Sequence, residues 1–222
     1  MFPRLIFVDG PTGAGKDYFI SHFQDAFFLS NPHLKLKVIR ATDIILNHYT
    51  QSENRKYTEY LTPADKKIGI FHGHLALLAK LSKMLRDHEC DVVIVNRSFL
   101  SYLIYNITPV IVKTRDDAER QRLLTEYQDV IATYKVLFQE LLRGIPYLFV
   151  NLQVPTENQG TQADLLVQRL KAREDGMALD PEWVRFLIRE YTTPDSNFMS
   201  LFNTVENIHS GDYGRIISRY YP

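Results

Sequence analysis

The stretch Gly10-Pro11-Thr12-Gly13-Ala14-Gly15-Lys16 decides how the rest of the chain is interpreted. An apolar run from Leu5 to Val8 precedes it, and apolar residues follow it at helical spacing: Phe19, Ile20, Phe23 and Phe27. This order predicts a buried strand, a glycine loop and a helix. Glycines let successive backbone N–H groups converge on phosphate oxygens, the helix N-terminus adds positive potential, and a lysine in this position reaches the outer phosphates. We therefore predict a phosphate-binding loop made by Gly10, Pro11, Thr12, Gly13, Ala14, Gly15, Lys16, Asp17 and Tyr18; the alternative is a tight turn without a ligand.

Composition excludes several classes of protein. The chain has 222 residues, 45% of them hydrophobic and 23% charged, which suits one globular domain rather than a disordered or fibrous protein. Its 26 basic and 26 acidic residues balance, so nucleic acid is disfavoured as a partner. No apolar run suffices to span a membrane. Cys90 has no cysteine to pair with, and the first residues do not resemble a signal peptide, so we expect a cytoplasmic protein.

Strands and helices are expected to alternate along the chain. Five short apolar runs predict strands buried on both faces: Leu5 to Val8, Leu36 to Ile39, Val92 to Val95, Tyr147 to Leu152 and, more weakly, Val205 to Ile208. Helix start signals lie between them, at Thr62-Pro63, Thr114-Arg115-Asp116, Thr161-Gln162 and Asp180-Pro181. The alternation predicts an α/β fold in one domain, with a central parallel sheet covered by helices on both faces. Ligands of such folds bind at the carboxyl ends of the strands.

Two positions depart from the usual phosphate-loop pattern. Asp17 follows the lysine, where a serine or threonine hydroxyl usually ligates magnesium. Asn96 ends the third predicted strand, where an acidic residue on the metal side is common. We hypothesise that Asp17 binds Mg²⁺, directly or through water, because Mg²⁺ favours carboxylate and water oxygens. The alternative is an ordinary first-turn acid stabilised by the helix dipole.

Several motifs, in order along nearly the whole chain, resemble those of thymidylate kinases and deoxynucleoside kinases. Phe-Val-Asp9-Gly10-Pro-Thr-Gly-Ala-Gly15-Lys16 resembles their phosphate loop, and the Gly-Lys-Asp ending is similar to phage-type deoxynucleoside monophosphate kinases. Asn96-Arg97-Ser98 resembles their Asp-Arg or Glu-Arg-Ser motif, and Arg169-Leu-Lys171-Ala-Arg173 resembles their arginine-bearing lid. The resemblance implies a P-loop NTPase fold of three α/β/α layers, with a helical lid at about 153–178 and an acceptor-side helical region at about 43–90.

Candidate catalytic residues follow from what phosphoryl transfer requires. The reaction depends on stabilising charge on the transferred group, so cations should gather at several strand ends. Lys16 is the first of these cations, and Arg97 is a candidate for binding an acceptor phosphate. Arg169 and Arg173, four residues apart, share a face if their helix is continuous and could close over the transferred group. A salt bridge at Arg97 and a solvated basic face at the lid remain as alternatives.

The acceptor side offers further candidates. Asp43 follows the second predicted strand by a short turn that starts at Arg40, and could act as a base, orient the acceptor or reach the metal. It could equally cap the Ile44 to His48 helix. Phe71 could stack on an acceptor base, although it belongs to an apolar helical series. His72 could hydrogen-bond the acceptor, but with His74 it makes a poor metal pair, because residues two apart on a helix point in different directions. We therefore expect substrate contacts at Arg40, Asp43, Phe71, His72, Asn96 and Arg97.

Together these features predict an ATP- and Mg²⁺-dependent kinase that phosphorylates a (deoxy)nucleoside monophosphate, most like a thymidylate kinase. One alternative is a deoxynucleoside kinase, which phosphorylates a 5'-hydroxyl and needs a base such as Asp43. Another is a kinase acting on a hydroxyl carried by DNA, against which the neutral charge argues. The third is a regulatory module that binds nucleotide without turnover, as the missing acid at Asn96 would suit. The sequence leaves the acceptor base and a homodimeric state open.

Overall fold

A computed structural model describes residues 2–50, 63–153, 164, 166, 168, 181–192 and 196–222. The strands in this part of the chain are β1 (Leu5–Asp9), β2 (Leu36–Arg40), β3 (Val92–Asn96), β4 (Tyr147–Leu152) and β5 (Val205–Ile208). The larger helices are α1 (Lys16–Ser30), α2 (Ala41–Thr50), α3 (Pro63–Arg86), α6 (Asp117–Leu141), α7 (Pro181–Thr192) and α9 (Tyr213–Tyr220). Shorter elements are α4 (Phe99–Tyr102), a π-helical segment (Leu103–Ile107), α5 (Thr108–Lys113) and α8 (Ser196–Met199).

The five strands form one parallel sheet in the order β2-β3-β1-β4-β5. Alternate residues of the central strands supply two separate hydrophobic cores. Phe7, Val93 and Phe149 face one core, and Ile6, Ile94 and Leu148 face the other. Helices cover both faces, because a parallel sheet has apolar side chains on each. The predicted three-layer α/β/α fold is confirmed.

All five predicted strands are present, but burial on both faces is not general. In β2 only Ile39 is buried, and β5 alternates between buried and more accessible residues. Both strands lie at the edges of the sheet, where each pairs with one neighbour. The expectation of two buried faces is therefore wrong for β2 and β5, because a short apolar run is equally compatible with an edge strand.

The predicted helix starts have mixed outcomes. Helix α7 begins at Pro181 as predicted, and α3 is described from Pro63 onward. Helix α6 is capped by Asp116, whose carboxylate accepts from the Glu119 amide at 2.7 Å. Thr114 instead follows the last residue of α5 and donates its hydroxyl to the Val110 carbonyl. The cap of α6 is therefore Asp116, two residues after the predicted threonine. The cap residues Thr62 and Asp180 and the start signal at 161–164 lie, except for Asp164, outside the described residues.

The element order places the candidate site at the carboxyl edge of the sheet. The loop after β1, the start of α1 and the turn after β3 meet there, because parallel strands end at the same edge. Helix α9 packs on α1, next to the loop after β5. No helix in the described part of the chain is both long and apolar enough to cross a membrane.

Candidate functional site

The loop from Gly10 to Gly15 joins β1 directly to α1. Gly10, Gly13 and Gly15 have φ values of 146°, 89° and 88°, in the region that favours glycine. A Cβ at Gly10 would lie 2.6 Å from the Leu152 carbonyl oxygen of β4. The loop therefore lies tightly against the end of the neighbouring strand, and its sequence pattern has a steric cause at this position.

Lys16 extends across the loop that precedes it. Its Nζ donates to the carbonyl oxygens of Gly10 at 2.6 Å and Pro11 at 2.9 Å, and the residue is 8% exposed. The ammonium group therefore lies where the loop bends, at the N-terminus of α1. A cation in this place can bind the outer oxygens of a phosphate chain that the loop amides hold.

Tyr105 connects the phosphate loop to the segment that follows β3. Its hydroxyl oxygen accepts from the Thr12 amide at 3.0 Å and lies 2.6 Å from the Thr12 hydroxyl. Burial raises the pKa of the Tyr105 phenol, so the group stays neutral. The Arg97 guanidinium lies 5.5 Å from the centre of the Tyr105 ring, a cation–π arrangement. Tyr105 thereby positions Arg97 beside the phosphate loop.

Asp9 is a candidate site residue that the sequence reasoning missed. Its carboxylate is fully buried and accepts from the Gly10 amide at 2.9 Å, the Ser98 amide at 2.9 Å and the Ser98 hydroxyl at 2.5 Å. The hydroxyls of Ser101 and Tyr191 donate to it at 2.8 and 3.0 Å. Asp9 therefore ties the start of the phosphate loop to the turn after β3. The sequence gives one indication of this role, because Asp9 is a carboxylate at the end of an apolar strand.

Arg97 occupies a backbone conformation that residues other than glycine rarely adopt, with φ at 77°. Such strain persists where surrounding contacts over-determine it, and here the next residue, Ser98, is held by Asp9 and caps α4. Burial alone would lower the pKa of the guanidinium, but Tyr105 and Asp9 outweigh it and raise the pKa. Arg97 therefore stays charged at the end of β3.

Asn96 and Asp17, the two departures from the usual pattern, are in direct contact. The Asn96 Nδ2 donates to Asp17 Oδ1 at 2.9 Å. Asn96 lies in register with Val8 of β1 and Arg40 of β2 at the same edge of the sheet. The Asn96 Oδ1 atom is buried and has no hydrogen-bond partner in the part of the chain that the structure describes.

Two acceptor-side expectations at the end of β2 need correction. Helix α2 begins at Ala41, directly after Arg40 ends the strand, so no turn separates them. Asp43 is the third residue of that helix and cannot cap it from outside. Both Arg40 and Asp43 are exposed at the edge strand, two strands away from β1. Nothing in the structure tests their contact with an acceptor, which stays a prediction.

Phe71 and the two nearby histidines have different environments. The Phe71 ring is half-buried and lies 5.8 Å from the Phe99 ring, while His72 is exposed. His74 is buried against Phe99 and Tyr102, and burial lowers the pKa of its imidazole to about 3. The two histidines thus point apart as predicted. The described residues contain no group of three or more histidine, cysteine or acidic side chains arranged to hold a metal.

Phe71 also borders an apolar cavity of about 170 Å³ between α3, the α4–α5 segment and α6. Tyr102, Ile107, Val110, Leu123 and Tyr127 contribute to its walls, together with the carboxylate-bearing Glu126. Tyr102 and Tyr105 lie on the segment that begins after Arg97. The cavity and the phosphate loop therefore flank the same short stretch of chain.

The remaining predicted site residues are Tyr18, Arg169 and Arg173. Tyr18, in the first turn of α1, is half-exposed, and its ring lies 3.9 Å from that of His22. The predicted lid at 153–178 lies outside the described residues apart from Gln153 and three isolated positions, and both Arg169 and Arg173 fall in that part.

Comparison with known proteins does not assign the chain to a family. No family model and no curated protein matches the chain. Among solved structures, the chain is similar to a shikimate kinase from Acinetobacter baumannii determined in complex with shikimate, at 14% identity and a TM-score of 0.46. The match covers 98% of this chain and 90% of that one. On its own strand order and glycine loop, the chain has the P-loop NTPase fold, with a strand, a glycine loop and a helix at the centre of a parallel sheet.

Proposed function

We propose that this protein transfers the terminal phosphoryl group of ATP, with Mg²⁺, to a (deoxy)nucleoside monophosphate. One observation carries the proposal: Lys16 bonds carbonyls of the loop that follows β1, and Arg97, at the end of the neighbouring strand β3, stacks on Tyr105, which bonds the same loop. Transfer between two phosphates needs cations on the donor and on the acceptor, brought close enough for in-line attack. Lys16 would serve the donor and Arg97 the acceptor.

The surroundings of Asp9 favour a phosphate acceptor over a hydroxyl acceptor. A sugar hydroxyl has to lose its proton during transfer, which calls for a carboxylate within hydrogen-bond reach. The Asp9 carboxylate bonds Ser98, the residue after Arg97, but it is fully buried and both its oxygens already accept hydrogen bonds. A monophosphate acceptor is ionised beforehand and needs no such base. Asp43, the base that a nucleoside kinase could use, is exposed in the first turn of α2, next to the edge strand β2.

The apolar cavity next to Phe71 supports an acceptor with a flat aromatic group. Phe71, Tyr102 and Tyr127 are among the residues that line the cavity, and aromatic rings pack favourably against a nucleobase. A guanidinium such as that of Arg97 binds a phosphate through paired donors. A base in the cavity and a phosphate at Arg97 would together orient a mononucleotide.

The test is an ADP-release assay over deoxynucleoside and nucleoside monophosphates, the matching nucleosides, a DNA 5'-hydroxyl end and shikimate. We expect turnover with at least one monophosphate, and loss of at least about 100-fold in the Lys16→Ala variant, because one preorganised charge contributes that much to a transition state. Lys80→Ala is the matched control, since Lys80 is exposed on α3.

Other outcomes of the assay identify the competitors. Turnover on nucleosides alone would establish a nucleoside kinase and overturn the acceptor proposed here. Turnover on the DNA end with steep salt dependence would indicate a polynucleotide kinase. ATP binding with no product from any acceptor would favour a regulatory module.

A further inference from the structure

One peptide group of the phosphate loop is hydrogen-bonded at both of its ends. Its carbonyl oxygen belongs to Pro11 and accepts from the Lys16 Nζ at 2.9 Å. Its N–H belongs to Thr12 and donates to the Tyr105 hydroxyl at 3.0 Å. A trans peptide group is planar, with its C=O and N–H pointing in opposite directions, so a rotation of the plane moves both bonds together. The peptide therefore connects the Lys16 ammonium to the Tyr105 phenol.

Tyr105 extends this connection to the side chain of Arg97. The Thr12 hydroxyl also lies 2.6 Å from the Tyr105 hydroxyl, so one loop residue holds the phenol through two groups. The Arg97 guanidinium lies 5.5 Å from the centre of the Tyr105 ring. The neighbouring Ser98 is held by Asp9, which fixes the backbone at this point and leaves the ring contact to orient the guanidinium.

Nucleotide binding would act on the Lys16 end of this chain of contacts. In the structure the ammonium donates to the carbonyls of Gly10 and Pro11, and bound phosphates would draw it away from both. The Pro11 oxygen would keep its second donor, the Ala14 amide at 3.1 Å. Losing the Lys16 donor also weakens the N–H donor at the other end of the plane, because hydrogen bonds in a chain polarise one another. The bond from Thr12 to the phenol would therefore change when a nucleotide binds.

We propose that Tyr105 is a positioning residue that makes the orientation of Arg97 depend on whether the phosphate loop holds a nucleotide. The proposal rests on the function proposed above, in which the loop binds the donor and Arg97 the acceptor phosphate. It adds that donor and acceptor bind with coupled affinities, and such coupling is reciprocal. Tyr105 lies in the π-helical segment Leu103–Ile107, and short π-helical turns are frequent at functional sites. A tyrosine that only packed against the loop would produce no coupling.

The test measures, by calorimetry, the affinity for dAMP, dCMP, dGMP and dTMP without ADP and with saturating ADP. The ratio of the two affinities, for the monophosphate that binds most tightly, gives the coupling between the sites independently of turnover. We expect this ratio to differ from unity by at least about fivefold in the wild type, the lower end of the usual range. Tyr105→Phe keeps the ring beside Arg97 but removes the hydroxyl, so its ratio should fall to within about twofold of unity while binding without ADP is kept.

Two further variants separate the effect of the hydroxyl from that of the ring and from a general loss of packing. Tyr105→Leu also removes the ring, so we expect it to weaken monophosphate binding without ADP by at least about threefold, as loss of a cation–π contact would. Tyr147→Phe is the matched control, because the Tyr147 hydroxyl donates to the Leu201 carbonyl at 3.0 Å at the start of β4, away from the loop. It should keep the wild-type ratio.

The outcomes distinguish this proposal from the function on which it rests. A wild-type ratio in Tyr105→Phe, or a ratio of unity in the wild type, would overturn the proposal. Wild-type protein that binds no monophosphate in either condition would instead contradict the proposed function. If thermal unfolding shows that Tyr105→Phe does not fold, Thr12→Val takes its place, because it removes only the hydroxyl contact with the phenol. Its ratio should lie between the wild-type value and unity, and an unchanged ratio there would equally overturn the proposal.

Discussion

At the scale of single residues, the buried Asp9 carboxylate is the group on which the site geometry depends most. It receives hydrogen bonds from Gly10, Ser98, Ser101 and Tyr191, which come from four different parts of the fold. Those donors satisfy its charge, because a buried carboxylate without partners would be strongly unfavourable. Its role is to position the loop and the Arg97 turn.

Replacing Asp9 by asparagine tests this role. One oxygen becomes an NH₂ group that faces existing donors, so we expect a loss of about 3 kcal/mol in the free energy of unfolding, as for a hydrogen bond to a buried charge. Urea titration measures the loss. Asp129→Asn, an exposed change on α6, should alter stability little. If Asp9→Asn and Asp129→Asn unfolded at the same urea concentration, the proposed role of Asp9 would be contradicted.

The buried His74 imidazole should make the stability of the folded protein depend on pH. Burial lowers the pKa of its imidazole from 6.5 to about 3, so the folded protein keeps it neutral while the unfolded chain protonates it below pH 6.5. The unfolded state therefore binds the extra proton, and stability falls as the pH drops from about 6.5 toward 3. Between pH 7.5 and pH 5, the unfolding free energy should fall by about 2 kcal/mol less in His74→Gln than in the wild type. Urea titration at the two pH values measures this difference.

The matched control for His74 is its exposed neighbour. His72→Gln should keep the wild-type pH dependence of the unfolding free energy, because His72 is accessible to water in the folded protein. If His74→Gln and His72→Gln lose stability equally between the two pH values, the buried imidazole is not the source of the effect.

At the scale of elements, the phosphate loop depends on the close approach of Gly10 to β4. A Cβ there would meet the backbone oxygen of Leu152 at 2.6 Å, and a backbone atom of the sheet cannot move aside. We expect Gly10→Ala to abolish measurable ATP binding and to destabilise the fold. Calorimetric titration with ATP and urea unfolding measure the two effects.

Gly144 supplies the control for this substitution. It also has a positive φ, 77°, but no atom lies within 4 Å of where its Cβ would be. Gly144→Ala should therefore cost only the backbone strain, about 1–2 kcal/mol, and leave ATP binding intact. If both alanine variants bound ATP equally well, the contact with β4 would not constrain the loop.

The elements themselves could largely be predicted from the sequence, whereas several site contacts could not. The glycine spacing and the apolar runs are local signals, and they located the loop and all five strands. The partners of Asp9 are up to 182 positions away, so only the folded chain brings them together. The edge position of β2 likewise depends on which strands pair, and its short apolar run does not encode that.

At the scale of the whole molecule, the parallel sheet brings the pieces of the site to one edge. The order β2-β3-β1-β4-β5 puts the strand that leads into the phosphate loop next to the strand that ends in Asn96. The two cores on either side of the sheet make this framework rigid, because interiors pack as densely as organic crystals. Such a framework would hold the proposed donor and acceptor groups at fixed separation.

The most direct test of the central claim is a crystal structure with a non-hydrolysable ATP analogue. The account predicts that the phosphate chain lies within hydrogen-bond distance of the loop amides from Gly13 to Asp17. Lys16 should then leave the Gly10 and Pro11 carbonyls, which its Nζ now contacts at 2.6 and 2.9 Å, and bind the outer phosphates. A nucleotide bound elsewhere while Lys16 keeps both carbonyl contacts would contradict the account.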